Sequence, residues 1–282
     1  MLTPKRRIEK NTNEPKNNSP KIFKGGKMNP IFIASKNRAK RNYLLEQLEK
    51  NNLEFYYFIE PQEIEKYIGI ISMKNIISIK ENDMGIAFVR QFMLDYAIKN
   101  KINRYWLLDD DITGFYFRVE NKMIKKNILI LKKVEEQFSQ QDYGVFALEY
   151  RQFAWSANKD IIENSYMDTC VNVDAKKAKE KGIKYRPLTF KSDRDFGMQF
   201  IYHNCKIART TLYAFSCPQN GSNKGGLYDE YNYKQGIKEK QAVEQLLEYW
   251  GSEIVKPIIK KDGRNDAKIY WKKINNKQET LF

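Results

Sequence analysis

A run of four apolar residues, Tyr105-Trp106-Leu107-Leu108, passes without a break into Asp109-Asp110-Asp111. Such a run fits a strand covered on both faces, as in a parallel sheet with helices packed above and below. Three carboxylates at its end repel one another and resist desolvation, so they need compensating positive charge. Residues i and i+2 of an extended segment point the same way, so Asp109 and Asp111 can share one divalent ion. Hard oxygen ligands suit Mg²⁺ or Mn²⁺, the ions that also grip a diphosphate. The competing reading is a solvated acidic turn.

The residues upstream supply the rest of such a sheet. Ile31-Phe32-Ile33-Ala34 reads as a buried strand, followed by Ser35-Lys36-Asn37-Arg38 and a helical stretch with Leu44, Leu45 and Leu48. Residues 55–59 read as a strand ending at Glu60-Pro61, and residues 76–79 as another. Over 85–100, Ile86, Val89, Met93 and Tyr96 recur at spacings of three and four, the period of a helix with one apolar face. Alternating strands and helices predict a parallel sheet with ligands at the carboxyl ends of its strands. The second half reads as more mixed. Residues 128–138 are helical, 143–148 and 170–173 are strands, and 175–182 form a short helix. A Gly-rich loop spans 218–226, and 241–250 form an amphipathic helix with Val243, Leu246, Leu247 and Trp250 inward. The expected class is α/β with a mixed central sheet.

The chain has 282 residues, of which 41% are hydrophobic, enough to fill one large α/β core. Residues 1–28 are expected to form a flexible basic tail, since they carry Pro4, Pro15, Pro20 and many lysines but almost no aliphatics. Residues 29–282 are expected to form a single domain with a basic C-terminal segment over 256–274. Lys and Arg number 50 against 35 Asp and Glu, a net charge of +15, which favours a polyanionic partner, nucleic acid first. No apolar run approaches the roughly 20 residues of a membrane span, and the N-terminus lacks the apolar stretch of a secretory signal. A cytoplasmic protein is the expectation. Cys170, Cys205 and Cys217 are scattered, which argues against a disulfide framework or a zinc site. A single histidine, His203, excludes a multi-histidine metal centre.

Three further segments and two single residues carry candidate chemistry. In Lys191-Ser192-Asp193-Arg194-Asp195-Phe196, one carboxylate can serve as general base while the arginine holds it ionised. The competing reading is a helix start capped by Asp193. The loop 218–226, with Lys224, Gly225 and Gly226, can cradle phosphate, although it lacks Walker A spacing. Ser35 to Arg38 sit where a sheet of this kind presents N–H donors to a nucleotide. Arg90 is placed to reach the acids or a sugar, or is an ordinary surface arginine. His203, in an apolar stretch, is either a core residue or a third metal ligand.

Taken in order, Ile33 to Arg38, Glu60-Pro61, Gly85-Ile86-Ala87-Phe88-Val89-Arg90, Trp106 to Ile112 and Asp193-Arg194-Asp195-Phe196 resemble a GT-A glycosyltransferase. More narrowly, residues 30 to 250 resemble the TET/JBP-associated glycosyltransferases. That family includes the enzyme that glucosylates 5-hydroxymethyluracil to make base J, with relatives in phages and bacteria. The resemblance implies a GT-A-like fold and metal-dependent transfer from a nucleotide-diphosphate sugar, such as a UDP-sugar, to a 5-hydroxymethylpyrimidine in DNA. It implies that Asp109 and Asp111 hold Mn²⁺ or Mg²⁺ on the diphosphate, with Asp110 also on the donor side. Ser35 and Arg38 would contact the nucleotide, with Glu60 near its base or ribose. Arg90 would orient the acids or the donor sugar, and Lys224 and Gly225 would close over the phosphates. Asp193 or Asp195 would be the base. Many GT-A enzymes have Glu-Asp where this chain has Ser192-Asp193, so the choice between the two stays open. A base of this kind favours inversion at the anomeric carbon. A saccharide, lipid or protein acceptor is the alternative within enzymes, and a non-catalytic nucleic-acid-binding module is the alternative outside them.

Overall fold

The computed structural model describes residues 27–41, 43–219, 222, 224–226, 228 and 236–275. The basic tail up to residue 26 lies outside them, as do Asn220, Gly221 and Asn223 of the Gly-rich loop. The described residues form a ten-stranded sheet flanked by helices, with a separate two-stranded hairpin.

The chain enters through β1 (Ile31–Ala34), α1 (Leu45–Lys50), β2 (Phe55–Ile59), α2 (Ile64–Tyr67), β3 (Ile76–Ser78), α3 (Ile86–Lys99) and β4 (Arg104–Asp109). The hairpin β5 (Gly114–Val119) and β6 (Lys122–Lys126) follows, then α4 (Ile130–Phe138), β7 (Val145–Tyr150), α5 (Arg151–Ala154) and β8 (Ile161–Glu163). Next come β9 (Val171–Asp174), α6 (Ala175–Glu180), α7 (Ser192–Tyr202) and β10 (Ile207–Ser216). The chain then continues through α8 (Ile237–Trp250), β11 (Val255–Ile259) and β12 (Asn265–Ile269). Sheet order is β3-β2-β1-β4-β9-β7-β10-β5-β6, with β8 beside β10. Strands β3, β2, β1 and β4 are parallel, as the alternation predicted, whereas β9 runs antiparallel to both β4 and β7. This is an α/β architecture with a mixed central sheet, the expected class.

The apolar runs are explained by burial on both faces. Phe32, Tyr105 and Leu107 pack with α3, α7 and α8, whereas Ile31, Ile33, Trp106 and Leu108 pack with α1 and α4 on the other side. Alternate residues of one strand thus feed two cores. Gly85, at φ +83°, lets the backbone turn into α3, whose Val89 and Met93 are buried as the spacing implied. Helix α8 begins at Ile237, four residues before the apolar periodicity becomes legible. No described helix is long and apolar enough to cross a membrane.

Register fixes the site. Ala34 pairs with Phe58 on one side and Asp109 on the other. The residues just beyond, Ser35, Glu60 and Asp110, therefore emerge together at the carboxyl edge of the sheet.

Candidate functional site

That edge opens on a cleft of about 280 Å³. Ser35, Arg38, Glu60, Arg90, Asp109, Asp110, Asp111 and Asp193 all line it, although they are dispersed over some 160 positions of sequence.

The three acids are held differently. Asp110 turns into the protein, accepting from Ser35 Oγ (2.5 Å) and Arg38 Nη1 (2.7 Å). The Tyr67 hydroxyl lies 2.7 Å from the same Ser35 oxygen, and burial pushes its pKa up to about 12. Burial also pushes the Asp110 carboxyl above its ordinary value, against the pull of Arg38 and Ser35. Asp111 lies 3.1 Å from Arg38 Nη1. Burial works against the Arg38 charge, but Asp110, Asp111 and Asp109 outweigh it and raise its pKa. Asp109 accepts from Thr169 Oγ1 (2.9 Å) and faces Arg90 Nη2 at 3.7 Å.

Arg90 is buried on α3 and is not a surface arginine. Its Nε has no hydrogen-bond partner among the described residues, and neither does the buried Ser192 Oγ, which also lines the cleft. Buried donors left without partners are rare in folded proteins and suit a polar ligand.

The remnant of the Gly-rich loop folds onto Arg38. Arg38 donates to the carbonyls of Lys224 (3.2 Å) and Gly225 (3.1 Å), and Gly226 N donates to Lys36 O (3.0 Å). Gly225 has φ +90°, and a Cβ there would sit 2.8 Å from the Lys36 carbonyl oxygen. Only glycine lets this loop approach so closely. Beside it, Lys36 bridges Glu60 (3.0 Å) and Asp83 (2.5 Å), which raise its pKa despite partial burial.

A further part of the lining is built on the first turn of α7. Asp193 lines the cleft together with Asp168, whose carboxyl is pushed up to about 7 by burial and by the Asp193 charge, against Arg194. Asp193 does not cap the helix; the N-cap position is Lys191, in the left-handed region at φ +63°. Lys191 (2.7 Å), Arg194 (2.9 Å) and Lys260 (2.7 Å) converge on Asp266 of β12. Burial opposes its ionisation, yet Arg194, Lys191 and Lys260 hold it well below the usual carboxylate range.

Of the loop, Gly226 lines the cleft while the expected Lys224 and Gly225 do not, and two further expected site residues lie elsewhere. Asp195 is about 200° around the helix from Asp193, outside the cleft lining and fully buried. It accepts from Arg186, Gln199 (2.8 Å) and Trp250 Nε1 (2.8 Å), tying α7 to α8. His203 follows the last residue of α7, ~15 Å along the helix from Asp193, with its ring edge-on to Tyr202. It does not line the cleft.

No group of three or more His, Cys, Asp or Glu among the described residues is arranged to cage a metal. Asp109 ends β4 and Asp111 lies in the turn that follows, so the two are not the extended i, i+2 pair expected, and Arg38 engages Asp111 while Thr169 engages Asp109. As a donor set, one or two carboxylates at a cleft still suit a hard cation of the Mg²⁺ type, which completes its shell with waters and substrate phosphates.

Asp168, Thr169 and Asp266 were not legible as site residues. Because β9 runs antiparallel to β4, with Val171 opposite Leu107, the residues that precede β9 arrive beside the end of β4. Nothing local in Met167-Asp168-Thr169 announces that direction.

A family profile described as TET-associated glycosyltransferase matches residues 29–226. No curated protein matches the chain. Among solved structures, the chain is similar to A197 from STIV at 18% identity, covering 68% of this chain and 86% of that one, with a TM-score of 0.41. It is also similar to CMP:2-keto-3-deoxy-manno-octonic acid synthetase complexed with CTP, at 8% identity, covering 64% and 88%, with a TM-score of 0.38.

Proposed function

The chain belongs to the TET-associated glycosyltransferase family, and from that membership we propose that it transfers a sugar from a nucleotide-diphosphate donor to the hydroxyl of a 5-hydroxymethylpyrimidine in DNA. The observation that carries this reading is a single cleft lined by both the β4 acids and the Asp168–Asp193 pair.

On this reading the donor lies at the ends of β1, β2 and β4. Ser35, Arg38 and Glu60 contact the nucleotide, and Asp110 fixes Arg38. The Lys224–Gly225 loop closes over the phosphates. The partnerless Arg90 Nε and the Ser192 hydroxyl serve the sugar or diphosphate. Asp109 and Asp111 would hold Mn²⁺ or Mg²⁺, whose charge offsets that developing on the leaving diphosphate.

Asp193 accepts the proton of the acceptor hydroxyl. The hydroxyl oxygen bonds to the anomeric carbon as its bond to the diphosphate oxygen breaks, and the electron pair leaves with the diphosphate. One displacement with one base inverts the anomeric configuration. The excess of basic residues, with Lys260 and Arg264 at the cleft and Lys256, Lys261, Lys268, Lys272 and Lys273 around it in sequence, supports a DNA backbone as the polyanion. A base inside a duplex is reached by flipping it out or by acting on a single strand.

The test is a transfer assay with Mn²⁺ and a panel of UDP-sugars. It offers DNA containing 5-hydroxymethyluracil or 5-hydroxymethylcytosine in parallel with oligosaccharide, peptide and lipid acceptors. Sugar on the modified DNA alone supports the proposal; sugar on another acceptor class alone rejects it.

A further inference from the structure

Beside the cleft, on the side of β7 and β10, the segment 151–160 holds two large aromatic side chains out in water. Phe153 is 51% exposed and Trp155 is 52% exposed. The segment is braced in place. The Arg118 guanidinium, itself only 9% exposed, donates to the carbonyls of Ala154 (3.0 Å) and Ala157 (2.6 Å) and pairs with Asp160 (2.6 Å). Ala154 is fully buried against Tyr116 and Ala214. At the far end, Thr211 donates through its backbone N–H to the Asp160 carbonyl (2.9 Å) and through its hydroxyl to Lys159 O (2.5 Å). Aromatic surface held rigid before binding loses little entropy when a ligand covers it.

The placement is specific. Helix α5 starts directly after Tyr150, which lines the cleft, and the Phe153 ring stands edge-on to Tyr150 with centroids 6.2 Å apart. Strands β1, β2 and β4, with the proposed donor site, lie on the other side of β9 in the sheet. The surroundings are basic. Arg151 is exposed above the Tyr116 ring at 4.5 Å, Lys159 is exposed, and Lys125 pairs with Tyr116 on the same face of β5–β6. Asp160, the acid of this segment, is engaged by Arg118.

We infer that Phe153 and Trp155, which as residues i and i+2 of this helical turn leave it on different sides, each stack an unstacked base of one single-stranded polynucleotide that passes over the segment, with Phe153, edge-on to Tyr150, on the side that leads the acceptor nucleotide into the cleft. Exposed aromatics interleaved with cations are the combination by which proteins grip single strands, with rings on bases and cations on phosphates. The inference rests on the reading of DNA as acceptor and adds which face the strand meets.

The experiment uses the full chain and an unmodified single-stranded oligonucleotide. Fluorescence titration reports on Trp155 by difference from Trp155→Phe, since Trp106 and Trp250 are buried and Trp271, which is partly exposed, stays in both proteins. The expected result is quenching on binding that is lost in Trp155→Phe, which keeps affinity within about threefold. Phe153→Ala/Trp155→Ala weakens binding about tenfold or more, with the melting temperature and donor KM unchanged. Equal affinity of the double variant and the wild type overturns the platform. So does quenching by a neutral oligosaccharide and not by the oligonucleotide. Oligonucleotide binding through Trp155 without sugar transfer to hydroxymethylated DNA sustains the platform and rejects the proposed reaction, so the two failures are distinct.

Discussion

Asp168 and Asp193 line the same cleft from different elements, one from the approach to β9 and the other from the first turn of α7. Burial and the Asp193 charge both make the Asp168 carboxyl harder to ionise.

The pair makes stability depend on pH. Asp168 titrates at about 7 in the folded chain, against about 3.9 in an unfolded one. Between those values the folded state holds a proton that the unfolded state has lost, so stability falls as pH rises from about 4 to 7 and then levels off. Asp168→Asn removes this contribution while keeping a hydrogen-bond donor. Melting temperatures from pH 5 to 8 are expected to fall more steeply for the wild type than for the variant. Parallel curves would remove the pair from the account.

The two acids of Asp193-Arg194-Asp195 are expected to fail differently. Asp193→Asn lowers kcat by about 10²–10⁴, the usual worth of a positioned base, with the fold intact. Asp195→Ala strips a fully buried partner from Arg186 and Trp250, which costs about 3–5 kcal/mol of stability. Thermal melts beside single-turnover rates separate these effects. A stable but inactive Asp195→Ala would reverse the assignment.

Gly225→Ala tests loop closure. The added methyl meets the Lys36 carbonyl in a backbone conformation that disfavours side chains, a strain of about 1–3 kcal/mol. The loop is expected to lift off Arg38, raising donor KM about tenfold and leaving affinity for oligonucleotides unchanged. An unaltered donor KM would detach the loop from donor binding.

Asp266 gathers Lys191, Arg194 and Lys260, and it lies beyond the residues that the family profile matches. Asp266→Asn leaves the two cations that flank Asp193 without their shared anion. A drop in kcat of about tenfold is expected, with donor KM within twofold and partial rescue by Asp266→Glu. A kcat equal to that of the wild type would make the β11–β12 hairpin an appendage to the site.

The part of the cleft at the ends of β1, β2 and β4 was legible because its signals are local. Buried parallel strands announce themselves as apolar runs, and Ser35, Glu60 and Asp109 follow such runs directly. The rest of the site was not. Strands β6, β11 and β12 lack a sustained apolar run, as in Lys122-Met123-Ile124-Lys125-Lys126. Asp168 reaches the cleft through strand direction, and Asp266 meets Lys191 and Arg194 through hairpin packing, neither of which one-dimensional spacing encodes. His203 looked plausible as a ligand only while the length of α7 was unknown.

The most direct measurement is the mass of nucleosides released from hydroxymethylated single-stranded DNA after incubation with the chain, Mn²⁺ and each UDP-sugar. The account predicts one added sugar on the hydroxymethylpyrimidine, lost in Asp109→Ala and in Asp193→Asn and abolished reversibly by EDTA. Unmodified nucleosides with every donor, while the same preparation glycosylates a non-nucleic-acid acceptor, would contradict it.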